Sequence, residues 1–325
     1  MTFRLSSTGL ETNASSPMHD LARFADSVLR GLGQVMFQNN SFTGLLFLAG
    51  IAWNSLLLAI GALFGTVIAT LTALSLGADR TAVRTGLFGF NGALTAIALL
   101  FFLEAEALTW ACIILASACS TILMAAMMAA FRNWNLPALT APFVFTTLVF
   151  LLAAVQFGGL HPTDQLPMAG LPNLTSIEGV VTLTTFGKGV LNGIAQVFFQ
   201  ENPVTGLCFL AGLVVASRLA CLAALIGSLA GLPVSWGMGA AEPALRAGVF
   251  GFNSVLTGIA LASVFLKPGT PSLVYALLGA IVTPFVAAAC AAALLPLGLP
   301  AMTLPFVLTT WVFLFASREF RPLAP

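Results

Sequence analysis

The chain has 325 residues, of which only 12 are Lys or Arg and 11 are Asp or Glu, while 59% are apolar. A charged fraction of 7%, against roughly 25% in soluble domains, and a mean hydropathy of +1.02 exclude a soluble globular fold. They point to a polytopic membrane protein, and the net charge of +1 leaves no basic patch for nucleic acid.

The chain opens with a polar, Ser-rich tail over residues 1–20 that lacks the apolar core of a signal peptide. Targeting therefore falls to the first membrane segment. Runs without Lys, Arg, Asp or Glu then map the membrane crossings: 31–78, 85–103, 133–163 and 268–317. Apolar segments are predicted near 44–76, 86–103, 107–131 and 138–157, and again near 206–238, 248–266, 271–297 and 301–316. The 44–76 run exceeds one crossing at about 1.5 Å per residue. It is either one strongly tilted helix or two segments broken near Asn54 and Gly61.

The resulting division is a first membrane repeat over 21–157, a Pro/Gly/Thr-rich linker over 158–189, a second repeat over 190–317 and a short tail over 318–325. Basic residues at Arg23 and Arg30, Arg80 and Arg84, and Arg318 and Arg321 mark the cytoplasmic face under the positive-inside rule. The cysteines Cys112, Cys119, Cys208, Cys221 and Cys290 all lie in apolar stretches without metal-ligand spacing. They read as small hydrophobes, so neither a metal nor a cofactor is predicted.

Three blocks recur in the same order. Gln34–Gly50 (QVMFQNNSFTGLLFLAG) matches Gln196–Gly212 (QVFFQENPVTGLCFLAG), and Gly86–Leu99 (GLFGFNGALTAIAL) matches Gly248–Leu261 (GVFGFNSVLTGIAL), both at an offset of 162. Leu136–Phe150 (LPALTAPFVFTTLVF) matches Leu299–Phe313 (LPAMTLPFVLTTWVF) at an offset of 163. So regular an offset identifies an internal duplication. Duplicated membrane halves place solute sites at the bilayer midplane between the repeats, and an odd number of crossings per half would invert one against the other.

The repeated polar residues sit where leucine would serve a plain bundle. Gln34 and Gln38, with Gln196 and Gln200, are either interhelical glue or acceptors at a pore mouth. Phe90 and Leu94 share a helix face, as do Phe252 and Leu256, whereas Phe88 and Phe250 fall opposite and suit the core. Gly86, Gly89 and Gly92 allow close backbone approach, with Ser254 replacing the last glycine in the second half. Pro137 and Pro142 bracket Thr140, and Pro300 and Pro305 bracket Thr303. Prolines there would disturb a helix and free carbonyl oxygens beside the hydroxyl, unless the threonine merely bonds back to its own turn.

With these three blocks in place, the doubled LPALTAPF/LPAMTLPF motif, QVxFQ and GxFGFN closely resemble the bacterial urea transporters from Gly33 to Phe315. The resemblance implies an all-α polytopic membrane protein of two inverted homologous halves, with about ten transmembrane helices and short re-entrant or broken helices around a central pore. It implies a homotrimer with one pore per protomer in the bacterial inner membrane, surrounded by lipid. Urea would pass passively, without ion coupling. The pore lining it implies is Gln34, Val35, Phe37, Phe90, Leu94 and Thr140, with Gln196, Val197, Phe199, Phe252, Leu256 and Thr303 from the second half. Some members carry Glu where Gln196 stands, and Glu201, aligned with Asn39, is the nearest charge.

The chemistry suits a flat neutral solute: Phe and Leu side chains select thickness, while carbonyl and Thr oxygens replace lost water. An intramembrane enzyme would want a buried histidine, yet His19 and His161 lie in polar stretches. An ion-coupled carrier would want a charge at mid-membrane, and Arg218 alone lies well inside an apolar run. Channels for amides, ammonia or water are the nearest alternatives. An NPA pair and paired histidines, the marks of water and ammonium pores, are missing.

Overall fold

In the computed structural model, residues 4–6, 9–11, 17–172, 178–320 and 323 are described. The rest of the two tails and of the linker lies outside them, including Arg321. A short antiparallel hairpin, β1 (Arg4–Ser6) and β2 (Gly9–Glu11), precedes fourteen α-helices among the described residues. The first half comprises α1 (Pro17–Gln34), α2 (Ser41–Asn54), α3 (Leu56–Ser75), α4 (Arg80–Arg84), α5 (Phe90–Phe102), α6 (Ala107–Phe131) and α7 (Ala141–Phe157). The second repeats the series as α8 (Leu183–Ala195), α9 (Pro203–Ala216), α10 (Arg218–Gly237), α11 (Glu242–Arg246), α12 (Phe252–Ile259), α13 (Thr270–Leu294) and α14 (Leu304–Ala316).

The all-α architecture stands, and each predicted apolar segment contains helix. Among the described residues, four helical segments, 56–75, 107–134, 218–237 and 270–297, are long and apolar enough to cross a membrane alone. The shorter apolar helices α2, α5, α7 and α12 lie among them, and α8 and α9 meet at a 72° bend. The overlong 44–76 run is two helices. Its break falls at Ser55, whose extended backbone (φ −149°, ψ 108°) caps α3 by accepting the Leu58 N–H, while Gly61 lies inside α3. Ser217 repeats this device between α9 and α10. Arg218 is therefore not buried mid-helix: it is the exposed first residue of α10. The hydropathy reading passed over the amphipathic α1 and α8 because their charged and polar residues dilute the apolar face. α8 begins within the stretch assigned to the linker.

The halves meet through α2 and α9. The Thr43 hydroxyl near the start of α2 donates to the carbonyl of Gly212 near the end of α9, at 2.7 Å. The Thr205 hydroxyl returns the bond to Gly50 O at 2.7 Å. Such reciprocity is the signature of a two-fold relation. Pairing start to end makes the two helices antiparallel, so one half is inverted against the other. Phe47, Phe198 and Phe209, all fully buried, fill the junction with ring centroids 5.0–5.7 Å apart.

The change of offset from 162 to 163 has a local cause. Beyond α12 the helix widens into a π-turn over Ala260–Val264, the usual trace of a single inserted residue. Ser254 has a cause too. Pro284 inside α13 lacks the N–H that would satisfy the Ala280 carbonyl, and the Ser254 hydroxyl donates to that carbonyl at 2.9 Å. Its first-half counterpart, Gly92, faces no such proline. Ser254→Ala is expected to destabilise the protein by about 1–3 kcal/mol, the cost of an orphaned buried acceptor. The fall in thermal midpoint in detergent measures it.

Candidate functional site

Two cavities related by the pseudo-two-fold lie on either side of the halves' junction. The first, about 560 Å³, is walled by Gln34, Phe37, Leu87, Phe90 and Pro137–Leu139, with Val264 and Phe265 from the second half. The second, about 280 Å³, is walled by Gln196, Val197, Phe199, Val249, Phe252 and Pro300–Thr303, with Phe102 from the first half and Pro167 from the linker. Between them the Thr140 and Thr303 hydroxyl oxygens lie 2.6 Å apart, each residue only 2% exposed.

The predicted residues divide cleanly. Gln34, Phe37 and Phe90 line the first cavity, and Gln196, Val197, Phe199, Phe252 and Thr303 line the second. Thr140 reaches Thr303 at the centre, while Val35, Leu94 and Leu256 are buried off both cavity walls. Glu201 is exposed and also lies off the second cavity's wall. Phe88 is core, but it lies in the turn before α5 and not on a helix face, and Phe250, in the matching turn before α12, lines the second cavity.

The glutamines separate by role. Gln34 Nε2 donates to Thr85 O at 2.9 Å, and Gln196 Nε2 donates to Ala247 O at 3.1 Å. With the nitrogens so held, each Oε1 is an open acceptor among the described residues. Gln38 and Gln200 instead donate to Met36 O and Phe198 O, closing their own turns.

Backbone strain concentrates here. Phe37 (φ 63°) and Phe199 (φ 59°), Leu139 (φ 55°) and Met302 (φ 48°) all occupy the left-handed region, which bulky residues hold only when their surroundings over-determine it. For the two phenylalanines those surroundings are rings of the opposite half. Phe37 meets Phe265 at 5.6 Å and Phe306 at 6.0 Å. Phe199 meets Phe102 at 5.7 Å and Phe143 at 6.3 Å. Each aromatic wall is thus built by both repeats.

The prolines do not kink helices. Pro142 and Pro305 sit at the second position of α7 and α14, where a missing N–H costs no helical bond. The irregular backbone is the loop before each helix, and Thr140 and Thr303 are the N-cap residues. Neither hydroxyl bonds to its own turn, and the two helices present their N-terminal, positive dipole ends to the threonine pair.

Sequence reasoning missed five contributors. Phe102 and Phe265 lie outside the matched blocks, and the inserted residue shifts them out of the 162 register. Asn91 and Asn253 stood in plain view, a paired amide inside an otherwise apolar block. Pro167 carries no signal, since it comes from the linker, which has no counterpart.

A family model described as urea transporter matches residues 25–318. Urea transporter 1 of Rattus norvegicus is 33% identical over 301 residues, covering 91% of this chain and 78% of the relative. Urea transporter 1 of Ovis aries and of Capra hircus align over the same lengths at 33% and 32% identity. With its duplicated blocks, inverted halves and twin cavities, the chain belongs to the urea transporter family.

Proposed function

We propose that urea passes down its gradient from one cavity to the other between Thr140 and Thr303. As a member of a family of passive transporters the chain is a channel-type urea transporter and not an enzyme. The observation that carries the pathway is the hydroxyl pair, set between two matched cavities that each offer a glutamine oxygen and a phenylalanine wall.

Urea is planar, with N–H donors at its edge and a carbonyl that carries partial negative charge. Gln34, Gln196 and the two hydroxyls supply acceptors in sequence, replacing edge hydrogen bonds to water. Phe37, Phe90, Phe199 and Phe252 bound its faces, and Leu94 and Leu256 back the narrow middle. The positive ends of α7 and α14 favour the urea oxygen at the centre and oppose cations. No acid lines either cavity to repay a cation's dehydration.

Arg132 lines the first cavity and Arg318 flanks it, with Arg30, Arg80 and Arg84 on the elements beside it. The elements beside the second carry fewer basic residues, Lys188 on α8 and Arg246 on α11. This imbalance supports a first cavity that opens to the cytoplasm of a bacterial inner membrane. A homotrimer with one pore per protomer is supported by the family resemblance.

Stopped-flow shrink–swell of proteoliposomes with urea, thiourea, formamide, glycerol and ammonia tests the reading. Urea flux is expected to be saturable or near-linear and unchanged when sodium and proton gradients are collapsed. Flux that vanished with those gradients would overturn passive permeation, and equal rates for all five solutes would overturn the urea-shaped slot.

A further inference from the structure

We propose that Asn91 and Asn253 are positioning residues that take over helix capping from Thr140 and Thr303, leaving those two hydroxyls to pair with each other across the pathway and to meet the permeant. This rests on the pathway described above.

An N-cap threonine ordinarily accepts a hydrogen bond from the N–H of the second or third helical residue. In α7 the second residue is Pro142, which has no N–H. The third is Phe143, whose N–H donates to Asn91 Oδ1 at 3.0 Å. In α14 the second residue is Pro305, and the Phe306 N–H donates to Asn253 Oδ1 at 3.1 Å. Neither Thr140 nor Thr303 makes a capping bond. The first N–H of each helix is taken as well: Ala141 donates to Ala138 O at 3.2 Å and Leu304 donates to Ala301 O at 3.0 Å. Every donor that could recruit the threonine is absent or occupied.

The other end of each amide completes a clamp. Asn91 Nδ2 donates to Leu139 O at 3.4 Å, and Asn253 Nδ2 donates to Met302 O at 3.1 Å. Each asparagine thus grips the residue before the threonine and the residue three after it. The gripped Leu139 and Met302 are the strained left-handed residues, so the amide also helps to hold the turn that aims the hydroxyl. Asn91 and Asn253 are 1% and 3% exposed, and a buried amide satisfied at both ends is a rigid bracket. Pro142 and Asn91, with Pro305 and Asn253, therefore act together: one deletes a competing donor and the other occupies the next.

Asn91→Leu removes the acceptor while keeping the same number of side-chain heavy atoms. The freed Phe143 N–H then draws the Thr140 hydroxyl into the cap. Helix α7 stays capped, while the pathway loses its oxygen. Urea flux per folded protein is expected to fall about tenfold, as in Thr140→Val, the loss of one hydrogen bond from the barrier. Asn91→Leu/Thr140→Val is expected to be no slower than Thr140→Val alone, because both changes remove the same hydroxyl. Asn253→Leu should behave likewise with Thr303→Val.

A merely structural asparagine would lower yield and all solute fluxes together, and its effect would multiply with that of the threonine. Normal flux in monodisperse Asn91→Leu and Asn253→Leu, or a multiplicative double variant, overturns the proposal. Where the leucine variants do not fold, Asn91→Ser and Asn253→Ser, too short to reach the third N–H, give the same comparison. If the threonine variants lose flux while the asparagine variants keep it, only the capping inference falls. If the threonine variants keep full flux, the pathway falls with it.

Discussion

Thr140→Val and Thr303→Val are each expected to cut urea flux about tenfold with the fold intact, the loss of one hydroxyl acceptor worth about 1.4 kcal/mol of barrier. Valine matches threonine in shape, and neither hydroxyl caps its helix, so the change removes no structural bond except the one between the two threonines. Because they share that bond, the double variant should fall short of the product of the single effects. Stopped-flow urea flux, normalised to reconstituted protein and compared with size-exclusion profiles, reads both quantities. Full flux in both single variants would place the threonines outside the pathway.

Gly86→Ala is expected to abolish folding rather than function. Gly86 holds φ +77°, and a Cβ there would lie 2.3 Å from Gly31 N and 2.5 Å from Arg30 C. Both obstacles are backbone of α1, so no side chain can swing aside. The positive φ alone costs a β-carbon about 1–2 kcal/mol, and prising α1 off the loop adds the loss of the Gln34–Thr85 bond that orients the cavity amide. Gly248, at the same φ and 2.2 Å from Gly193 N, predicts the same for Gly248→Ala. Yield of monodisperse protein in detergent is the measurement. Wild-type yield and thermal midpoint for either variant would contradict the close crossing.

Much of the fold was legible because hydrophobicity in lipid leaves few options: charge-free runs had to be helices, since exposed backbone cannot stay unpaired there. The break at Ser55 was half legible, as Asn54 marked it while Gly61 was an equally good breaker on paper. Helices α1 and α8 were not, because a half-buried amphipathic helix looks polar to an average over its length. At the site, the duplication singled out Gln34, Phe90 and Thr140 and their partners, since two copies of a costly residue need a common reason, whereas Phe37 and Phe199 came only with the family resemblance. It could not separate Gln34 from Gln38, which differ only in which carbonyl each amide finds. The prolines were misread in mechanism: they looked like kinks inside helices, but Pro142 and Pro305 sit in the first turns of α7 and α14, and Pro137 and Pro300 in the loops before them.

By itself the sequence determined the membrane class, the duplication and the residue types of the pathway. All three depend on composition and spacing, which the chain carries locally. Only the tertiary structure decided that Phe265 and Phe102 cross between halves, that Ser254 answers Pro284, and that Thr140 meets Thr303 because Asn91 and Asn253 occupy the helix donors. Each of these is a contact between residues far apart in the chain. Packing sets such contacts by closing distances that no local pattern encodes.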